Sequence, residues 1–62
     1  MSKQELRDRH GKLLGTIRES AGKLVLRDKV GRLKGRYDPK TDQTRDDRGH
    51  LVGRGNLLTS LL

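Results

Sequence analysis

Apolar and polar residues alternate over short stretches of the chain, and turn sequences that contain glycine separate these stretches. The clearest alternation covers residues 32–37, where leucine, glycine and tyrosine would face one side of a strand and three cations the other. Residues 12–18 alternate less regularly, and residues 23–27 form a short apolar run bounded by cations. Alternation with a period of two is typical of half-buried strands. The pattern predicts an all-β meander of short antiparallel strands.

One frame, Arg-Asp-x-x-Gly-x-Leu-x-Gly, occurs three times, at residues 7–15, 27–35 and 45–53. Its aspartate can accept a bond from the backbone two residues on, and its first glycine supplies the positive φ that closes a type I turn with a bulge. We therefore predict three hairpin repeats in a single domain over residues 1–62, with the frame's leucine in the core. A weaker version of the turn spacing occurs at residues 19–22, and a proline-containing turn at residues 38–42.

The second glycine of each copy, Gly15, Gly35 or Gly53, falls in the middle of a predicted strand. Glycine weakens a strand unless another backbone or side chain approaches it closely. These positions predict close packing between strands or between subunits. Simple bending or bulging of the strands is the alternative.

The C-terminal tail, residues 55–62, breaks the pattern. Asn56 is a candidate helix N-cap, and the leucines that follow it share one helical stripe. A helix this short is unstable alone, so the tail must pack on its own sheet or on a neighbouring subunit. The second arrangement is the one we expect, because the core is thin.

The composition favours self-association, since only 29% of the residues are hydrophobic and the chain has no cysteine. Small domains without disulfides or metals usually need a partner. Disorder is the competing interpretation, because 37% of residues are charged and the mean hydropathy is −0.93, but the regular turns argue against it. The expected oligomer interface comprises Gly15, Gly35, Gly53, Leu57, Leu58, Leu61 and Leu62.

Residues 31–38, 41–46 and 49–58 together resemble the four-fold β-flower domain, a small bacterial domain. The resemblance spans roughly the whole chain. It implies petal-like hairpin repeats around an axis and a homotetramer, and it brings no catalytic activity with it. The YD-type repeats of bacterial surface proteins are similar in their turns and glycines, but they form longer arrays.

The charge of +7 is unevenly distributed, because most of the acids fall in predicted turns and the strands are left basic. Such a surface attracts polyanions. Tyr37 is the chain's one aromatic residue, so stacking on nucleic-acid bases is not expected. The interpretation we favour is a solvated surface that keeps an oligomer soluble, and polyanion binding is the alternative. The candidate polyanion-binding residues are Lys12, Arg18, Arg32, Lys34, Arg36 and Arg54.

Catalytic and cofactor chemistry find little support in the residues. The serines have no histidine and acid nearby in sequence, and the chain has no cysteine nucleophile. His10 and His50 occupy different places in the repeat, so they do not predict a metal site unless symmetry gathers copies of one of them. The acid-rich residues 38–47 lack the glycine spacing of a calcium loop. We expect no enzyme, no cofactor and no metal.

Residues 1–7 contain no apolar run, and residues 57–62 are too short to span a bilayer. We therefore expect a cytoplasmic protein without membrane contact. The function favoured by the sequence is that of a structural or interaction module that forms a symmetric homo-oligomer. A nonspecific protein that binds nucleic acid or another polyanion is the alternative.

Overall fold

A single antiparallel sheet forms the protein in the computed structural model, which describes residues 3–62. Each strand pairs with the strands that precede and follow it in the chain, so the predicted all-β meander is confirmed. A 3₁₀-helix, Leu58–Leu61, follows the last strand. The strands are β1 (Lys3–Arg7), β2 (Leu13–Ser20), β3 (Lys23–Asp28), β4 (Leu33–Asp38), β5 (Gln43–Asp46) and β6 (Leu51–Arg54).

The repeated frame closes three hairpins with the same turn. In the second copy, Asp28 Oδ1 accepts hydrogen bonds from the backbone N–H groups of Val30, at 3.0 Å, and Arg32, at 2.9 Å. The Gly31 N–H donates to the Asp28 carbonyl oxygen at 3.0 Å, and Gly31 has a φ of 90°. The other two copies make equivalent bonds. The turn role predicted for the aspartate and the first glycine is confirmed.

Each copy also contains a bulge that changes which face its leucine occupies. Leu26 pairs with Gly35, and Arg27 pairs with Leu33. Lys34, which lies between Leu33 and Gly35, therefore has no partner on β3. Paired residues share a face of the sheet, whereas consecutive residues such as Leu26 and Arg27 point to opposite faces. Leu33 and Gly35 therefore lie on opposite faces, and the simple alternation predicted for residues 32–37 is wrong. The unpaired residues of the other copies are Leu14 and Val52.

The two faces of the sheet have different surroundings. The tail face, which contacts the 3₁₀-helix, contains the buried Ile17 and Leu26, and Leu58 of the tail packs against them. The opposite face, called here the outer face, carries the leucine of each repeat. Leu51 remains 53% exposed there, and Leu13 and Leu33 are half-buried. The expectation that the frame's leucine belongs to the core is therefore wrong, because the bulge turns it away from the tail.

A leucine of the tail contacts each mid-strand glycine. A Cβ on Gly15 would lie 3.1 Å from Leu62 Cδ2, and one on Gly53 would lie 2.7 Å from Leu57 Cδ1. The third contact, Gly35 with Leu61, is closer still. The backbone of the adjoining strand is also near two of these glycines. A Cβ on Gly15 would meet the Arg27 carbonyl oxygen, and one on Gly35 would meet the Arg45 carbonyl oxygen. The predicted close packing between strands is thus present within one chain.

The tail docks on its own sheet, so the packing on a neighbouring subunit that we expected is not needed to bury Leu58. The buried Thr44 fixes the approach of the tail to the sheet. Its Oγ1 donates to the Gly55 carbonyl oxygen at 2.6 Å and accepts from the Leu57 N–H at 3.0 Å. Leu57 is the N-cap of the 3₁₀-helix and no side chain caps it, so the capping role predicted for Asn56 is wrong; Asn56 Oδ1 instead accepts from the Leu58 N–H at 3.2 Å just before the helix. The tail therefore completes the core of the chain that carries it.

The turn between β2 and β3 differs from the three repeats. Ala21 and Gly22 both have positive φ, 52° and 78°, which is the conformation of a two-residue type I′ hairpin. Glu19 lies in β2 opposite Leu24 rather than opening the turn. The weaker repeat of the turn spacing predicted at residues 19–22 is therefore wrong, because a tighter turn joins these strands.

Alanine substitutions at two of the mid-strand glycines should have unequal effects. On Gly35 the new methyl group would lie 2.6 Å from the Arg45 carbonyl oxygen as well as against Leu61, so strands β4 and β5 would have to separate. On Gly53 it would meet only the flexible end of Leu57. We expect Gly35→Ala to lower the free energy of unfolding by about 2–3 kcal/mol and Gly53→Ala by less than about 1 kcal/mol.

Urea-induced unfolding of the two variants beside the parent protein measures both values. Equal losses of unfolding free energy in the two variants would show that the contact with the Arg45 carbonyl oxygen does not limit the packing of β4 against β5.

Candidate polyanion-binding face

One row of paired residues crosses the outer face from β1 to β6. Lys3 lies directly opposite Arg18, and Arg36 lies directly opposite Arg45. Val25 separates the two cation pairs, and Leu51 ends the row. The row therefore places two pairs of like charges on adjacent strands, at the separation where side chains interact most strongly.

Few carboxylates on the strands offset these charges. Glu5 and Asp38 are the acids that the strand register places on the outer face. Glu5 is engaged with Arg7, whose Nη2 lies 3.2 Å from Glu5 Oε1. Opposed like charges destabilise a sheet by a few tenths of a kcal/mol or more. The bare outer face thus has a deficit of negative charge that an anion from outside the chain would relieve.

The arginine that opens each repeat holds its turn as well as adding charge to this face. Arg27 Nη1 donates to the Gly31 carbonyl oxygen at 3.1 Å, and Arg7 and Arg45 make the same bond within their own copies. A guanidinium has five N–H donors, so donors remain available in each case. The repeat arginines are not among the surface cations predicted from the sequence. The further outer-face cations assigned by the register are Arg7, Lys23, Arg27 and Arg54.

Two shallow depressions lie on this face on either side of Val25. The first has a volume of about 210 Å³, and Lys23, Arg36 and Arg45 contribute cationic groups to its lining. Its other lining residues are Asp38, Thr41 and Gln43. The second has a volume of about 320 Å³ and is lined by Thr16, Arg18, Glu19, Ser20, Val25 and Arg27. Both offer N–H and O–H donors to an oxyanion.

The structure brings together half of the six cations predicted from the sequence. Arg18, Arg36 and Arg54 lie on the outer face. Lys34 is the unpaired bulge residue, and its Nζ lies 4.0 Å from Asp28 Oδ2. Lys12 and Arg32 precede their strands and hydrogen-bond through their backbone to the turns. Lys12 and Lys34 line one cavity together with Leu62 of the tail.

The bulge separates Lys34 from Arg36, which simple alternation places on one face. An alternating pattern read without it places the residues on either side of the bulge on one face. The pairs Lys3–Arg18 and Arg36–Arg45 follow only from the pairing of the strands. A sequence signal exists for the repeat arginines alone, because each precedes the turn aspartate by one residue.

The turn carboxylates are fixed away from the outer face. Hydrogen bonding from the Arg32 backbone N–H, with lesser help from Val30 and Lys34, lowers the pKa of Asp28. The His50 backbone N–H is the main cause that lowers the pKa of Asp46. Both acids stay ionised, but the register places them on the tail face beside Gly15 and Gly35, so neither lies opposite a cation of the row.

Tyr37 lies on the tail face, opposite Leu24 and Thr44. Its hydroxyl donates to Asp42 Oδ1 at 2.7 Å, and this bond is the main cause that raises the pKa of Tyr37. The ring therefore braces the turn between β4 and β5, and it is not available on the outer face.

His50 Nδ1 lies 3.7 Å from Asp46 Oδ2 within one turn, and residues 3–62 hold no group of three or more His, Cys, Asp or Glu side chains arranged to bind a metal ion. Within the same residues, no helix is long and apolar enough to cross a membrane. Comparison with known proteins gave no match to a protein family, a curated protein or a solved structure.

Removing one cation of an opposed pair should stabilise the protein at low salt. Arg36→Gln ends the repulsion with Arg45, so we expect the free energy of unfolding to rise by roughly 0.5 kcal/mol in dilute buffer. The gain should vanish near 1 M salt, where charges are screened within about 3 Å. Lys40→Gln, in the exposed turn, makes the same charge change away from the row. Denaturant unfolding at both salt concentrations tests this, and a gain shared by the two variants contradicts it.

Proposed function

We propose that the outer face binds polyanions, nucleic acid among them, through contacts to their charged groups and without sequence selectivity. The row that contains the opposed pairs Lys3–Arg18 and Arg36–Arg45 carries this proposal. An anion placed at each pair replaces a repulsion with two attractions. Binding also releases the counterions condensed on the polyanion, which makes the affinity strongly dependent on salt.

The distribution of charge supports binding over solubility alone. A surface that only keeps a protein soluble works well with both signs of charge interspersed. Here the register places cations along the row, whereas Asp28 and Asp46 are held in turns. A predominantly cationic face on a rigid sheet has the electrostatic form expected of a polyanion-binding surface.

Chromatography on immobilised heparin tests this function with matched double variants. Arg18→Gln with Arg36→Gln removes two outer-face charges, whereas Lys12→Gln with Arg32→Gln removes two charges from beside the turns. We expect the parent protein to be retained beyond physiological salt and the first variant to elute at clearly lower salt than the second. For a mixed-sequence nucleic acid, the slope of log affinity against log salt concentration should decrease in magnitude by about two in the first variant.

Elution of the parent protein at low salt, or equal losses in the two double variants, contradicts the proposed function. Thermal unfolding of all three proteins establishes that each is folded.

We also propose that the chain assembles into a symmetric homo-oligomer through its tail side. Apolar side chains remain exposed around the docked tail: Leu14 at 39%, Val52 at 39%, Leu57 at 36% and Leu62 at 44%. In the part of the chain that the structure describes, no strand pairs with the free edge of β1 or β6. Burying this apolar rim against another copy would leave the outer faces free, so the two proposals are compatible.

Light scattering tests the assembly. We expect a mass that is a multiple of the 7.0 kDa chain, and the β-flower resemblance favours four copies. Leu14→Gln with Leu62→Gln should reduce the mass, because both residues belong to the exposed rim. Val30→Gln with Leu51→Gln, which changes exposed residues of a turn and of the outer face, should leave it unchanged. A parent protein with the mass of one chain would overturn this proposal.

A further inference from the structure

We infer that the polyanion is a double-stranded nucleic acid, held by both of its phosphate backbones with one cation pair on each. This inference rests on the proposed polyanion binding and specifies its ligand. It is carried by the spacing of the charges, by the absence of an aromatic side chain from the outer face, and by the stiffness of the surface that displays them.

Along the row that crosses Val25, the cations form two pairs, and Lys23 and Arg27 lie on the same face to either side of Val25 along β3. Lys3 and Arg18 are on neighbouring strands, Val25 follows, and Arg36 and Arg45 are again on neighbouring strands. Strands are about 4.8 Å apart, so the centres of the two pairs are three strand spacings, or roughly 14 Å, from each other. This separation is comparable with the roughly 12 Å width of the major groove, and flexible Lys and Arg side chains can adjust the remaining few ångströms.

The centre of the row suits the opening of a groove. Val25 is uncharged and half-buried, and the half-buried Leu33 belongs to the adjacent row beside Arg27. These side chains offer no donor to a phosphate and no partner to a base edge. A duplex that spans the two pairs would therefore place its phosphates over the cations and its groove over Val25.

The outer face does not offer single-stranded nucleic acid the aromatic stacking that usually holds it on a protein. Base stacking on aromatic side chains contributes about 1–3 kcal/mol per base in single-strand binding proteins. The one aromatic residue of this chain, Tyr37, is on the tail face with its hydroxyl bonded to Asp42. Base stacking on an aromatic ring therefore has no place on the outer face, and charge has to account for the affinity.

Stiffness and charge density favour the duplex further. The hydrogen-bonded sheet fixes the backbone positions of both cation pairs, so a flexible strand would have to give up conformational freedom to match them. A duplex already has its two backbones at a set separation. Its charge density also gives a larger counterion release per contact, with a salt slope of about −0.9 per phosphate against about −0.7 for a single strand.

Fluorescence anisotropy with three labelled polyanions tests the inference. The probes are a mixed-sequence duplex of about 20 base pairs, one of its strands alone, and heparin, all measured over the same salt series. With four cations engaged, we expect a salt slope near −3.6 for the duplex, and a duplex affinity at least tenfold above that of the single strand. Heparin should bind too, because the proposed contacts are made to the charged groups of the polyanion and do not require bases.

Variants that remove one cation from each pair test the two-backbone arrangement. Lys3→Gln and Arg36→Gln should each reduce the magnitude of the duplex slope by about one, and the double variant by about two. The double variant should also lose most of the preference for duplex over single strand. Lys40→Gln is the control for net charge, and its slope should change by much less than one.

The outcomes separate the two proposals. A single strand that binds as tightly as the duplex would overturn the duplex inference and leave polyanion binding intact. If neither nucleic acid nor heparin binds, both fail. If the control lowers the slope as much as Arg36→Gln does, the net charge of the protein rather than the cation row determines binding, and the two-backbone arrangement is wrong.

Discussion

The contact between tail leucines and mid-strand glycines is the constraint on which the rest of the structure depends. Gly35 lets Leu61 approach the sheet at a distance that no other residue allows. Leu58 can then reach Ile17 and Leu26, and these three are the buried hydrophobic residues found in residues 3–62. A sheet with so little apolar surface gains its core from its own last residues. The mid-strand glycine weakens the strand locally and stabilises the fold by admitting the tail.

Covering one face with the tail leaves the other face open to solvent and to ligands. The bulge beside each glycine determines what that open face contains, because it turns the frame's leucine outward. The repeat arginine lies opposite this leucine in every copy, and its bond to the turn glycine fixes where the guanidinium sits. One short frame thus closes a hairpin, opens a notch for the tail and places a cation on the outer face.

The charges on the outer face lower the stability of the unbound chain. Placing Lys3 opposite Arg18 and Arg36 opposite Arg45 costs stability in the unbound chain, and alternating charges at the same exposed positions would avoid that cost. The turn aspartates do not lie opposite these cations, because their carboxylates are fixed in the turns and the register places Asp28 and Asp46 on the tail face. A protein with a thin core retains this repulsion on its sheet, and this is the physical argument behind the proposal that the face binds an anionic ligand.

The amino-acid sequence by itself determined the all-β meander and the three hairpin turns, because a turn aspartate and a glycine with positive φ act over four residues and need nothing distant. It also marked Gly15, Gly35 and Gly53 as places of close approach, and Leu57–Leu62 as a segment that must be covered. Three results were decided only by the tertiary structure: the unpaired Lys34, the outward Leu51 and the pairing of Arg36 with Arg45. A bulge shifts the register by one residue, and in a sheet with a period of two that shift exchanges the faces. Which strand lies beside which, and therefore which charges meet, depends on long-range pairing that no short stretch of sequence contains.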